Sequence, residues 1–514
     1  MAERLTAREA VALVADDFVR LPPPVPLAPP RADGPIGWAG YDAARARAAE
    51  KTGEEESVLY GRATIGGRRA VLVAFEFGFL GGSLGQAAGD RLVAAYGTAL
   101  ADRVPLVSLV ATGGSRMQEG MIALTQLQRV AEATVRLRRA GVPHVTVLRD
   151  PSTGGGWATV GAGADVILAL PAAQVAFAGS RVRPPDADPS AYTAEDQWQH
   201  GHVDALVTPA ALRTTLALWL RLLTGGDDPS GRAEAEPGDP SGERTDRRPG
   251  GTPGTMPGAA PGAPGDGAAV QAPAPVRTPA HVPAPDGRAP ATTPAPPPRA
   301  LTEAAPPGTG WEAVGRARSD ARPRAGAYLD AYFSVRAAVR GDRAGGVDDG
   351  VECGFGLHEG RTVAYAAQDG SATRPAGFRT AARLIRLADR LAIPVLTLID
   401  TPGAANDAEA ERAGAGPAIA DAFTAVAEAR VPVTSLLVGE GGSGGALALA
   451  APGSTWTTPD GYFSVIAPEL ASAILKRSPD QAPVTADQLR LRPQDLVALG
   501  IVRGIVGQHE APSA

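Results

Sequence analysis

Two apolar segments, each opened by an aliphatic residue and a proline, lie 38 residues apart, and the same pair recurs further along the chain. The first pair is VPLVSLVATGG and VPHVTVLRDPSTGGG, with Pro105 and Pro143. The second is IPVLTLIDTPG and VPVTSLLVGEGGSGGA, with Pro394 and Pro432. An internal repeat of this length constrains the fold more than any single motif, because both copies have the same packing problem to solve. Each copy reads as buried strand, glycine turn, long helix, buried strand, second glycine turn and short helix. That alternation predicts α/β architecture. The helices carry recognisable boundaries: Ser115 and Gln118 fit a capping box ahead of MIALTQLQRVAEATVRLRRA, with Gly141 closing it, and PAGFRTAARLIRLADRLA is a second amphipathic helix. The start of the chain, MAERLTAREAVALVADDF, also reads as an amphipathic helix rather than a secretory signal.

Between the copies, from about residue 225 to 310, the sequence turns to Pro, Gly, Ala, Asp, Ser and Thr with few large apolar side chains. Such a segment buries too little surface to offset its ordering entropy, which predicts a disordered linker between a domain at 1–224 and another at 311–514. The net charge of −6 argues against a general nucleic-acid or membrane binder. A single cysteine, Cys353, leaves neither a disulfide framework nor a thiolate metal cluster and points to a reducing, cytoplasmic setting. The longest apolar run, PVTSLLVGEGGSGGALALAAP, is interrupted by Glu440 and several glycines and makes a poor membrane span. His200 and His202 lie close in sequence but have no third ligand, so the histidines are expected at the surface and no metal is expected.

The glycine turns carry the chemistry. A turn from a buried strand into a helix exposes unpaired N–H groups at the positive end of the helix dipole, and glycine lets a ligand approach that backbone. Four such turns occur, at Thr112–Ser115, Ser152–Gly156, Thr401–Ala405 and Gly439–Ala446. Any one alone is adequately read as a tight turn; their repeated spacing favours two related oxyanion sites. Competing motifs fit less well. Residues 81–85 and 441–445 satisfy G-x-S-x-G, yet only His509 follows Ser443 to complete a hydrolase triad. No G-K-[ST] follows any glycine turn, and no dinucleotide fingerprint sits in a first strand-to-helix turn.

The words FEFGFLGGSLG, ATGGSRMQEG, DPSTGGG and FAGSRV resemble the β subunit of acetyl-CoA carboxylase carboxyltransferase. GDRAGGVDDG, IDTPGA, GEGGSGGALALA and YFSVIAPELASAILKRSPDQAP are similar to its α subunit. The chain thus resembles a β–α fusion. The resemblance implies a crotonase-like ββα superhelix in each half, and transfer of a carboxyl group from carboxybiotin on a separate carrier protein to acetyl-CoA, forming malonyl-CoA. It implies that Gly113 and Gly114 receive the thioester enolate oxygen and Gly445 and Ala446 the biotin carbonyl. Gly154, Gly155, Gly444 and Arg116 would line the biotin and CoA sites; Arg116, Arg181 and Arg183, beside the glycine motifs, are candidates for CoA phosphates, and each reads equally as a solvated surface arginine. Biotin carboxylase and a biotin carboxyl carrier protein are the implied partners, and a homodimer or larger homo-oligomer the implied assembly. The sequence departs from the family pattern in three ways: the four-cysteine zinc ribbon is missing, so no zinc is expected; the α-type loop is reduced to Ala364–Phe378; and no biotinylation motif is present. Carboxylation of propionyl-CoA or another acyl-CoA, biotin-independent decarboxylation of a malonyl-CoA-like thioester, and a non-catalytic scaffold remain as alternative readings.

Overall fold

The computed structural model describes residues 4–26, 31–225 and 293–507. The Pro-led apolar segments become the central strands. In the first half β4 (Leu106–Thr112) is buried along its whole length, and β5 (His144–Thr153) lies parallel beside it, with Leu106 opposite His144 and Thr112 opposite Ser152. Continuous burial explains why these strands show an unbroken apolar run rather than alternation. An antiparallel hairpin of β2 (Val58–Ile65) and β3 (Arg68–Phe75) precedes them, with β1 (Asp17–Arg20) at one edge. Short strands β6 (Val166–Ala169), β7 (Val175–Ala176) and β8 (Ala205–Leu206) complete an eight-stranded sheet in the order β1-β2-β3-β4-β5-β6-β8, with β7 also paired to β5.

The second half repeats the plan. Here β9 (Val335–Ala338) edges a hairpin of β10 (Val351–His358) and β11 (Arg361–Gln368). Parallel β12 (Val395–Thr401) and β13 (Val433–Gly442) follow, and then β14 (Thr455–Thr457) and β15 (Tyr462–Ser464). Thr401 stands opposite Gly441 in β13, as Thr112 stands opposite Ser152 in β5. Each half is therefore a crotonase-like ββα unit, and the fold is two of them in tandem. Helices Gln86–Asp102 and Pro375–Arg390 fill corresponding crossovers, the latter burying Phe378, Ala381, Leu384, Ile385 and Ala388 at helical spacing.

The described residues of both halves form one unit with a shared core. Leu127, Val130 and Trp157 of the first half belong to the same hydrophobic cluster as Ile419, Phe423 and Leu447 of the second. Gln128 Nε2 donates to the Ala450 carbonyl at 2.8 Å across this boundary. No helix among the described residues is long and apolar enough to cross a membrane.

Three sequence expectations are revised. The Ser115–Gln118 capping box does not form: a 3-10 turn spans Met117–Glu119, Gly120 sits at φ +53, and the long helix begins only at Gln126. The reason is that Arg116 and Glu119 are drawn into a buried cluster and bend the chain away from a helical start. Of the expected linker, residues 226–292 lie outside the described residues, whereas residues 293–309 belong to the second half. Ala295 is buried there, its carbonyl accepting from Thr434 Oγ1, and the Pro296 carbonyl accepts from Tyr332. Among the histidines, His144 is not at the surface but buried in β5 against Ser108 Oγ at 2.9 Å, and burial pushes its pKa down to about 3. His202 is half-buried, its Nε2 2.9 Å from the Arg412 carbonyl.

Candidate active site

In the first half the two central strands end side by side, and their glycine turns touch. Gly114 (φ +104) and Gly154 (φ +65) pack so closely that a Cβ on Gly154 would stand 2.9 Å from the Gly114 Cα. The two turns differ in what their amides do. Gly113 donates to the Gly81 carbonyl at 2.9 Å, and Gly114 to Thr112 Oγ1 at 3.0 Å. Gly154 donates to the Phe177 carbonyl at 3.1 Å. Gly155 and Gly156 follow in the first turn of the short helix Gly154–Gly156, where no preceding helical carbonyl exists to accept their N–H groups. Among the described residues, the Gly155 and Gly156 amides have no preceding helical carbonyl to accept from them, whereas those of the expected pair Gly113–Gly114 donate to the Gly81 carbonyl and Thr112 Oγ1.

The second half has the same construction. Gly403 (φ +136) donates to Thr401 Oγ1 at 3.1 Å, as Gly114 does to Thr112. Beyond β13, Ser443 takes the left-handed position of Gly154 at φ +51, unusual for a residue with a side chain. Gly444, Gly445 and Ala446 then lie in the first turn of the helix Ser443–Leu447, buried and with amides at its positive end. A Cβ on Gly445 would collide with the Ala404 amide nitrogen, so only glycine fits. Ser443 stands on a sharp strand-to-helix turn, but the described histidines bond elsewhere: His144 to Ser108, His200 to the Asp196 carbonyl, His202 to the Arg412 carbonyl and His358 to the Tyr332 carbonyl. The hydrolase reading gains no partner from them.

Both helix starts converge on one side chain within a single chain. Leu127, fully buried, packs against Gly155, and the Cβ position of Gly444 lies 3.7 Å from Leu127 Cδ1 and 3.7 Å from Phe177 Cε2. A cleft of about 220 Å3 lies at the boundary of the halves, lined by Gln128, Arg129 and Glu132 of the first and Leu447, Pro452 and Ile501 of the second.

Arg116 is the clearest correction. None of its side-chain surface is exposed. Its guanidinium donates to Glu56 Oε2 at 2.9 Å, Tyr41 Oη at 3.1 Å and the Ser83 carbonyl at 2.7 Å. Burial would raise the Glu56 carboxyl, but the Arg116 ion pair outweighs it and holds the acid below its ordinary range. Arg116 braces the first turn from inside and has no donor left for a phosphate. Arg183 is likewise engaged, stacked 4.0 Å over the Tyr192 ring and donating to the Ala178 carbonyl. Arg181 is exposed. Sequence reasoning missed Leu127, Phe177 and Glu411, which join the halves. None carries a local signal, since a leucine on an apolar helix face and an acid in AEAERAG look ordinary until the chain folds.

In each half of the tandem crotonase-like fold a central strand ends in a glycine turn at a helix start, an arrangement that can present backbone amides to an oxyanion. Residues 37–202 match the carboxyl transferase domain family, and residues 307–512 the family described as acetyl co-enzyme A carboxylase carboxyltransferase-like. The acetyl-coenzyme A carboxylase carboxyl transferase subunits beta/alpha of Salinispora arenicola is 35% identical over 99% of this chain and 85% of that protein. Its Salinispora tropica counterpart is 36% identical over 90% of this chain and 76% of that protein. A probable biotin-dependent acyl-coenzyme A carboxylase beta3 subunit of Mycobacterium bovis is 31% identical over 94% and 85%. The chain belongs to the acyl-CoA carboxyltransferases of the biotin-dependent carboxylase family.

Proposed function

We propose that this chain is the carboxyltransferase of an acetyl-CoA carboxylase, moving a carboxyl group from carboxybiotin on a separate carrier to acetyl-CoA and forming malonyl-CoA. The observation that carries the proposal is the convergence of two helix starts, Gly155–Gly156 and Gly444–Ala446, on Leu127 within one chain.

The chemistry needs two oxygens stabilised as they gain charge: the thioester oxygen once the α-proton has left, and the ureido oxygen of the carboxyl donor. Because the Gly113 and Gly114 amides already have acceptors, the thioester oxygen is assigned to Gly155 and Gly156. Gly445 and Ala446 take the ureido oxygen of biotin. Carboxybiotin, when its carrier docks, would supply the carboxyl group, and the ureido nitrogen freed of that group would take the α-proton, so no side-chain base is required. The role of Gly114 is then to support Gly154 from behind, and that of Gly403 and Ala404 to support Gly445. No ionisable side chain has to touch either oxygen, which fits a site built from glycine turns. Each donor of this kind is worth about 100- to 1,000-fold in rate.

The test is reconstitution of the purified chain with a biotin carboxylase and a biotinylated carrier, following ATP- and bicarbonate-dependent carboxylation of acetyl-CoA and propionyl-CoA. Malonyl-CoA as the preferred product supports the reading. Preference for propionyl-CoA refutes the acetyl assignment, and a folded chain that carboxylates neither refutes the function.

A further inference from the structure

The acid Glu411 reaches from one half of the molecule into the other. It sits in the short helix Ala408–Arg412 of the second half and is fully buried. Its two carboxylate oxygens accept from consecutive amides of the first half, Oε2 from Phe177 at 3.0 Å and Oε1 from Ala178 at 2.8 Å. Phe177 follows directly on β7, whose residues pair with Ser152 and Thr153 at the end of β5. The Phe177 carbonyl takes the N–H of Gly154, the residue that opens the helix bearing Gly155 and Gly156. Its ring stands 3.7 Å from the Cβ position of Gly444 in the opposite helix start. One carboxylate thus anchors a strand end that borders both oxyanion turns.

We propose that Glu411 is a positioning residue for carboxyl transfer: by holding the Phe177 and Ala178 amides, it sets the placement of the Gly155–Gly156 donors and the spacing of the two helix starts. This rests on the function proposed above. A buried carboxylate accepting two N–H groups makes strong charge-assisted bonds, whereas its protonated form loses acceptor capacity on one oxygen. Burial first, opposed by the two amides and by Arg183, pushes the Glu411 pKa up to about 7. The charged and titratable groups facing it are Arg183 and Tyr192 from the first half and Asp407 from its own segment. The clamp therefore tightens as pH rises through neutrality.

The loop has other cross-half ties: Asn406 Nδ2 donates to the Val182 carbonyl and Tyr192 Oη to the Asn406 carbonyl, each at 2.9 Å. Removing the Glu411 charge should therefore loosen the strand end without detaching it. The experiment compares wild type with Glu411→Gln by two readouts. The first, which needs no substrate, is amide hydrogen exchange in residues 153–158 and 174–180. The second is kcat, acyl-CoA KM and their pH profiles in the reconstituted carboxylase. Expected are faster exchange in both segments, kcat lowered about 10- to 100-fold at pH 8 with KM changed less than about twofold, and loss of an inflection near pH 7 that the wild type displays. A purely structural residue would lower the melting temperature and leave kcat and its pH profile unmoved, and that outcome overturns the proposal. Unchanged exchange at 153–158 overturns it too. If the variant does not fold, the wild-type profile decides, and a kcat flat from pH 6 to 8 is the refuting result. A wild type without carboxyl transfer refutes the proposed function, while exchange at 153–158 still judges the clamp.

Discussion

Leu127 lies between two glycines that respond differently to the same added methyl group. A Cβ on Gly155 would stand 2.6 Å from Leu127 Cδ1 and 2.7 Å from Cδ2, so turning the leucine about its last bond relieves neither contact. Leu127 is fully buried and packed in the core shared by the two halves. Overpacking of this kind costs about 1–3 kcal/mol, against which Gly→Ala at a compatible backbone regains about 0.4–1 kcal/mol from the unfolded state. Gly155→Ala is expected to destabilise by about 1–2 kcal/mol. Displacing the Gly155 amide should also cost about 100-fold in kcat. On the other side, a Cβ on Gly444 meets Leu127 Cδ1 at 3.7 Å, ordinary contact, so Gly444→Ala should change stability by less than about 0.5 kcal/mol. Leu127→Ala removes the obstruction at a cavity cost of about 2–5 kcal/mol, and the double variant Leu127→Ala/Gly155→Ala should be less destabilised than the two singles together by about 1–2 kcal/mol. Urea unfolding of the four chains measures this cycle, and reconstituted carboxyl transfer measures the rate. Additivity of Leu127→Ala and Gly155→Ala, or equal effects of the two glycine substitutions, would refute the packing that joins the two helix starts.

Arg116→Met leaves Glu56 buried without its partner, and urea unfolding should register a loss of about 3–5 kcal/mol, while the acyl-CoA KM of the folded variant stays unchanged because Arg116 has no exposed surface. Gly445→Val drives a side chain into the Ala404 amide and should abolish carboxyl transfer by about 100-fold or more, measured on chain that retains its circular dichroism. His144 is held neutral by burial, with its pKa near 3 against 6.5 unfolded, so the unfolded chain takes up a proton that the folded one refuses as pH falls through 6.5. Between pH 7.5 and 5.5 the wild type should lose about 1.4 kcal/mol on this account, and His144→Asn should lack that component in paired urea titrations.

Much of the architecture is legible in the chain itself. The Pro-led runs at 105, 143, 394 and 432 mark the central strands, because a strand buried on both faces must be apolar throughout. The positions of the glycine turns follow from the same repeat. The individual roles of the turn residues do not, since Gly113 and Gly155 look alike until hydrogen-bond partners are assigned. Gly113 finds the Gly81 carbonyl, 32 residues away in sequence, while Gly155, in the first turn of its helix, has no preceding helical carbonyl to accept from it. Arg116 is ambiguous in sequence for a related reason: an arginine beside a glycine turn suits an anion equally well whether that anion is a ligand or Glu56, 60 residues upstream.

What sequence alone determined is the tandem α/β plan and the places where backbone amides become available, because periodicity, proline and glycine act over a few neighbouring residues. Tertiary structure decided which turn amides are spent on carbonyls elsewhere, which charges are consumed in the interior, and that Leu127, Phe177 and Glu411 join two distant halves of the chain. Those outcomes depend on contacts between residues hundreds of positions apart in sequence, such as Leu127 and Gly444 at 317, and no local pattern encodes a partner at that separation.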